Sequence, residues 1–377
     1  MHGMGARNVH FVGSFPAEST SDAMRAMLDG AGPRLRTLPT GETRRYERYI
    51  QPIVADLVAQ GVLEVKRNGP WRSSHERTIH RAARGVHLTG DLMDLGYLGE
   101  AEEALPIFRA LRAERDLPEL SLQIGMPTAF TMAFIAMGRS GVRRYRKAFE
   151  DASIRDVEAI RALAGDDVVI QFEATAEMVL MATAQPVHRP VEAALGLGRG
   201  IAEMAAATPP GTRIGVHLCL GSMNNKARTT LRNTEPLVVL ANSIVRQWPS
   251  GRSLEFVHGP LAAGDIPPST DPACYAPLAG LRLPAGTRFH AGLVHEGHTE
   301  TVQIETLRTI EAALGRPVDG VASACGLGRR PRVIADAYGR PRRLPRCSGL
   351  SAGQFPCPIS QGTMSEGLSP RPTSSSR

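Results

Sequence analysis

Eight times along the chain a short run of aliphatic and β-branched residues ends in a polar or glycine-containing loop and gives way to a helical pattern. The runs are Val9 to Val12, Leu35 to Leu38, Leu120 to Ile124, Asp167 to Phe172, Arg213 to Cys219, Ser253 to Val257, Thr287 to Val294 and Val318 to Ala324. Between them, apolar spacing predicts helices over Ser21 to Leu28, Arg45 to Gln60, Ala101 to Arg115, Thr128 to Met137, Val142 to Leu163, Arg189 to Ala206, Thr230 to Val245 and Thr299 to Leu314. A helix between two strands carries the chain back to the end it left, so the strands run parallel. Eight such units within residues 9–330 predict a single-domain (β/α)8 TIM barrel, an α/β fold, with Gly61 to Tyr97 as its largest insertion. A doubly wound open sheet is the competing architecture.

Polar residues gather where these runs stop: Ser14, Glu42, Glu173, His217, Cys219, Glu255, His258, His295 and Cys325. In a barrel those ends form one face, and that face carries the chemistry. His217 and Cys219 stand two apart on one strand and point the same way. An imidazole and a thiol together are donors that Zn2+ prefers, although a strand His and Cys also occur as plain packing residues. If the strand ends converge, Glu255 and Cys325 complete a four-ligand set. Glu255 would be costly to bury alone, and Cys325 opens a Cys-Gly-Leu-Gly-Arg-Arg loop able to turn tightly beside an ion. Each has a bland reading: Glu255 can pair with an Arg at a strand end, and His258, before Gly-Pro, can cap a turn. Glu42, Arg44 and Arg45 could bind an anionic substrate group, but read most simply as the opening of a helix. His290, His295 and His298 match no metal spacing, and Cys274, Cys347 and Cys357 lack metal-like neighbours.

The net charge of +7 suggests a nucleic-acid partner until it is located. From Arg329 onward nine Arg face only Asp336 and Glu366, so the excess lies wholly in the C-terminal segment. Residues 331–377, rich in Pro, Ser and Gly, are expected to form a disordered basic tail, and residues 1–8 a short extension. That location argues against nucleic-acid binding. No run of 18 apolar residues is present to span a membrane, and five cysteines do not make a disulfide scaffold. With no apolar leader after Met1, the expectation is a cytoplasmic protein with reduced thiols.

Taken together, the motifs resemble the catalytic barrel of cobalamin-independent methionine synthase, within the barrel superfamily that includes uroporphyrinogen decarboxylase. Val12-Gly13-Ser14-Phe15-Pro16 is similar to that family's Ile-Gly-Ser-Phe-Pro opening, which implies that Gly13 and Ser14 contact the amino-acid end of homocysteine. Ile170-Gln171-Phe172-Glu173 resembles its Ile-Gln-x-Asp motif, implying that Glu173 holds the substrate amine. His217-Leu218-Cys219, Glu255 and Cys325-Gly326-Leu327 resemble its zinc ligands. There are departures. Ala174 stands where the synthases are polar, and His295-Glu296-Gly297-His298 where they carry an Asp and a His. The resemblance spans one barrel, as in short relatives that alkylate other thiols such as coenzyme M. It implies zinc-dependent methyl transfer to a small thiol from a folate, corrinoid-protein or small-molecule donor, with His258, His295 or His298 moving a proton to the leaving group. The alternatives are a zinc-free decarboxylase or other lyase of the uroporphyrinogen-decarboxylase type, and a barrel without catalysis.

Overall fold

A computed structural model describes residues 7–45, 48–71 and 76–339. Among the described residues ten strands form in chain order: β1 Asn8–His10, β2 Thr37–Pro39, β3 Leu63–Pro70, β4 Arg77–Ala82, β5 Ser121–Pro127, β6 Val168–Ala174, β7 Arg213–Leu218, β8 Ser253–Pro260, β9 Arg288–Val294 and β10 Gly320–Ser323. Eight of them make one sheet in the order β1-β10-β9-β8-β7-β6-β5-β2, every ladder parallel. The sheet curls into a nearly closed barrel, and all eight expected strands are in it.

Its seam lies between β1 and β2, which share no ladder among the described residues. Side chains fasten it from within. The buried amide of Gln123 donates to the carbonyls of Phe11 (3.1 Å) and Val12 (2.8 Å) after β1, and accepts from the Thr37 hydroxyl on β2 (2.6 Å). Gln171 adds a second donor to Val12 at 2.7 Å. These bonds satisfy carbonyls that a ladder would otherwise take, and they fix the Gly13-Ser14 turn at the barrel mouth.

The helices are α1 Thr20–Ala31, α2 Gln51–Ala59, α3 Tyr97–Glu114, α4 Ala129–Ala164, α5 Thr175–Thr183, α6 His188–Leu195, α7 Leu197–Ala207, α8 Glu235–Arg246, α9 Glu300–Leu314 and α10 Arg332–Gly339. Three depart from the sequence expectation. The helices expected before and after Met137 form one element, α4, broken at Gly138, whose φ of 75° is left-handed. Conversely, the helix expected over Arg189 to Ala206 is split at Gly196, with φ 58°. The chain from Arg332 is helical where a disordered tail was expected: Arg332 pairs with Asp22 of α1 at 2.7 Å and with Asp336 at 2.8 Å. Residues 340–377, with Cys347 and Cys357, lie outside the described residues.

The insertion after α2 is the hairpin β3–β4. The break at Gly138 explains its docking, since a helix interrupted there leaves carbonyls without partners one turn earlier. Arg77 donates to the carbonyls of Phe134 (2.7 Å) and Ile135 (2.9 Å), and His80 Nδ1 bonds the carbonyl of Ala136 (3.2 Å). No helix among the described residues is long and apolar enough to cross a membrane.

Candidate metal centre and acid pair

Strand parity decides which side chains look into the barrel. On β7 the inward set is Gly215 and His217, continued by Cys219. A methyl group on Gly215 would collide with the Phe256 ring, so the glycine leaves room for that inward aromatic. On β8 the inward set is therefore Phe256 and His258, and the ladder pairs His258 with His217.

The sequence-predicted donors separate accordingly. His217, Cys219 and Cys325 come together: one ligand atom from each lies within 4.8 Å of the others, His217 and Cys219 being buried and Cys325 half-buried. The two sulfurs are 3.5 Å apart. Tetrahedral Zn2+ with Zn–S near 2.3 Å would hold its sulfurs roughly 3.7 Å apart, so the pair fits that ion with little adjustment. The two thiols share a hydrogen bond, and that contact, with His217 and Arg329 nearby, holds the Cys325 thiol well below its ordinary range. The same contact, and then burial, push Cys219 well above it. Two sulfurs this close, beside an imidazole, are an arrangement a cation would complete.

Glu255 does not join them. It stands near the start of β8, off the inward parity, and accepts from Arg213 and Arg288 at 2.9 Å each. These cations, after the opposing effect of burial, leave its carboxyl below the usual range. The carboxylate taken as a fourth ligand is a structural anion at the opposite end of the strand.

Of the histidines expected to move protons, His258 and His295 are otherwise engaged. His258 bonds His217 Nδ1 to Nδ1 at 2.7 Å and the Ser323 carbonyl through Nε2 at 2.9 Å. Burial first, then neighbouring His217, keep its pKa well below the ordinary imidazole range. His295 donates from Nε2 to the Gly264 carbonyl (3.0 Å) and accepts the Gly297 N–H at Nδ1 (2.9 Å). With both nitrogens bonded to backbone, it clamps two loops. His298 lies beside that clamp; burial depresses its pKa, and its Nδ1 has no partner.

Next to the sulfurs lies a pair of buried carboxyls. Glu42 and Glu173 are 5% and 4% exposed, and Oε1 of Glu42 and Oε2 of Glu173 have no hydrogen-bond partner. Gly13 and Gly125 make the space: a methyl on Gly13 would strike Glu42, and one on Gly125 would lie 2.7 Å from Glu173 Oε1 and 3.1 Å from Glu42 Oε1. Burial raises Glu42 to about 8 against the partial compensation of Arg45, with Glu173 adding to the rise. Burial likewise raises Glu173 to about 7, again opposed by Arg45 and reinforced by Cys325. Arg45 itself lies 3.5 Å from Glu42 and 3.6 Å from Glu100 and donates to the Gly125 carbonyl at 2.8 Å.

Glu42 was the residue that sequence reasoning set aside. It does not open a helix, since α2 begins at Gln51, and its φ of 52° is left-handed, a strained state for a glutamate. The available signal was the Thr-Gly-Glu turn immediately after a strand. Ser14 meets the Cys325 loop: its carbonyl accepts from Leu327 N–H (2.7 Å), and a methyl on Gly326 would strike its hydroxyl.

Fold and site define a class: a parallel α/β barrel whose C-terminal rim holds two thiols and an imidazole suited to zinc, beside a buried acid pair. Among solved structures the chain is similar to a B12-independent methionine synthase from Shewanella sp. W3-18-1 in complex with selenomethionine, with TM-score 0.59 and 13% identity over 89% of this chain and 95% of that one. It is also similar to a methyltransferase from Methanosarcina mazei, with TM-score 0.44 and 14% identity over 88% and 93% of the two chains. The first likeness establishes the barrel fold that the motifs had implied. No protein-family model matches the sequence, and no curated protein sequence matches it.

Proposed function

We propose that the chain is a zinc-dependent methyltransferase (thiol alkyltransferase) that moves a methyl group onto a small thiol such as homocysteine. The observation that carries this reading is the convergence of His217, Cys219 and Cys325 at the barrel mouth, next to two unsatisfied buried carboxylate oxygens. His217, Cys219 and Cys325 would hold the ion. Bound there, zinc supplies Lewis acidity that removes the proton of an incoming thiol at neutral pH.

The remaining chemistry belongs to the chain. Glu42 and Glu173, once ionised, offer two oxygens to an ammonium group, and Gly13 and Gly125 leave space against them. Ser14 ties the Gly13 turn to the Cys325 loop, joining the amine and sulfur sites. A homocysteine-like substrate has an amine and a thiol to match, and the Shewanella protein of the same fold is a methionine synthase holding an amino acid. The methyl donor is a folate, a corrinoid protein or a small methylated compound. Sulfurs 3.5 Å apart stay thiols in a reducing cytoplasm, which is where we place the chain.

Metal analysis and zinc-edge X-ray absorption test the reading. We expect one zinc per chain, lost in Cys219→Ser and Cys325→Ser, and one additional sulfur in the shell when homocysteine is added. A protein free of zinc after reconstitution supports the decarboxylase-type alternative. Zinc without thiol binding supports a barrel that does not catalyse.

A further inference from the structure

Resting on that zinc reading, we infer that His258 is a positioning residue: it fixes the tautomer of His217 and leaves a metal centre of three protein ligands and one open place. The hydrogen-bond inventory requires it. His258 Nε2 faces the Ser323 carbonyl at 2.9 Å, and a carbonyl only accepts, so Nε2 carries the proton. In an imidazole whose Nε2 carries the ring proton, Nδ1 is the accepting nitrogen. The 2.7 Å contact between the two Nδ1 atoms then needs a hydrogen from His217. His217 is thereby held as the Nδ1–H tautomer, and Nε2 is the nitrogen left for a metal.

His258 has no nitrogen left for a metal, its Nδ1 facing His217 and its Nε2 donating to Ser323, and the convergent donor set among the described residues is the trio without it.

Ser323 extends the arrangement to a second ligand. Its carbonyl holds His258, while its hydroxyl donates to the Cys325 carbonyl at 2.7 Å. His217 and Cys325 are thus spaced through His258 and Ser323 before any ion arrives. Gly292 on β9 makes the room, since a methyl there would stand 2.7 Å from His258 Nε2. A site short of a carboxylate ligand can accept an incoming thiol without expelling a protein group.

The test uses the full-length protein loaded with Zn2+, with affinity read by chelator competition and the shell by X-ray absorption. Wild type should show two sulfurs and one imidazole, the remaining place taken by a light atom. His258→Ala should keep that protein ligand set and bind zinc about 10–100-fold more weakly. His258→Asn, whose Oδ1 can accept from His217, should recover most of the loss. Gly292→Ala, with His258 intact but displaced, should weaken binding in the same direction, and it decides the matter if His258→Ala fails to fold. Two imidazoles in the wild-type shell, one lost in His258→Ala, would make His258 a ligand and overturn the inference while leaving the zinc reading standing. Affinity unchanged within twofold in both His258→Ala and Gly292→Ala would overturn it as well. A wild type that takes up no zinc would remove the underlying reading with it.

Discussion

Replacing Glu42 or Glu173 by Gln should make the protein's stability less dependent on pH, with a sign set by burial. Both carboxyls titrate far above their ordinary value of 4.5, Glu42 at about 8 and Glu173 at about 7. Between roughly pH 5 and pH 7 the native state keeps protons that the unfolded chain has released. Unfolding then releases protons, so stability falls as pH rises through this window and levels off once both groups are ionised. A full proton difference is worth about 1.4 kcal/mol per pH unit, so two such groups set a ceiling near 2.7 kcal/mol per unit. The buried imidazoles of His10, His258 and His290, depressed chiefly by burial, act with the opposite sign below the ordinary imidazole pKa. The wild-type profile is their sum, and the difference between variant and wild type isolates the carboxyls. Urea unfolding midpoints from pH 5 to 8.5, with chelator present, supply the measurement. Relative to wild type, Glu42→Gln and Glu173→Gln should gain stability steadily as pH rises, at up to about 1.4 kcal/mol per unit each. The double variant should gain less than twice as much, because each charge raises its neighbour's pKa. Profiles that run parallel to wild type across the range would refute the reasoning.

Glu255→Gln should leave zinc content untouched and cost about 1–3 kcal/mol in urea unfolding, since Arg213 and Arg288 lose the anion between them; loss of zinc would restore Glu255 as a ligand. Gly215→Ala should cost about 1–3 kcal/mol, seen as a lowered melting temperature, because its methyl meets the Phe256 ring inside the barrel. His295→Ala should destabilise by about 1–3 kcal/mol and retain zinc, as expected for a loop clamp. A fall in turnover with unchanged stability would instead return His295 to proton transfer.

Much of the fold was legible because strand, loop and helix each leave a local mark. All eight barrel strands could be located from apolar runs, and His217, Cys219 and Cys325 from their places at strand ends. The helix boundaries were less legible where glycine decided them. Gly138 bends one helix without ending it, whereas Gly196 separates two, and the surrounding apolar pattern is helical in both cases. The stretch from Pro331 reads as the start of a disordered tail, yet the helix Arg332–Gly339 forms, with Arg332 paired to Asp22 of α1, more than three hundred residues earlier.

The site divides along the same line. Sequence alone determined that thiols and an imidazole stand at strand ends, because a strand's period of two and the direction of a β-α unit are local properties. Only the tertiary structure decided which polar partner each residue meets. Glu255 and His258 sit three apart on one strand, and opposite parity sends one to a pair of arginines and the other to His217. Glu42 and Glu173 are 131 positions apart in the chain and share one buried space because β2, β5 and β6 are neighbours in the barrel. Donor identity is written in single residues, whereas the proton each donor holds depends on burial and on charges that arrive from distant segments.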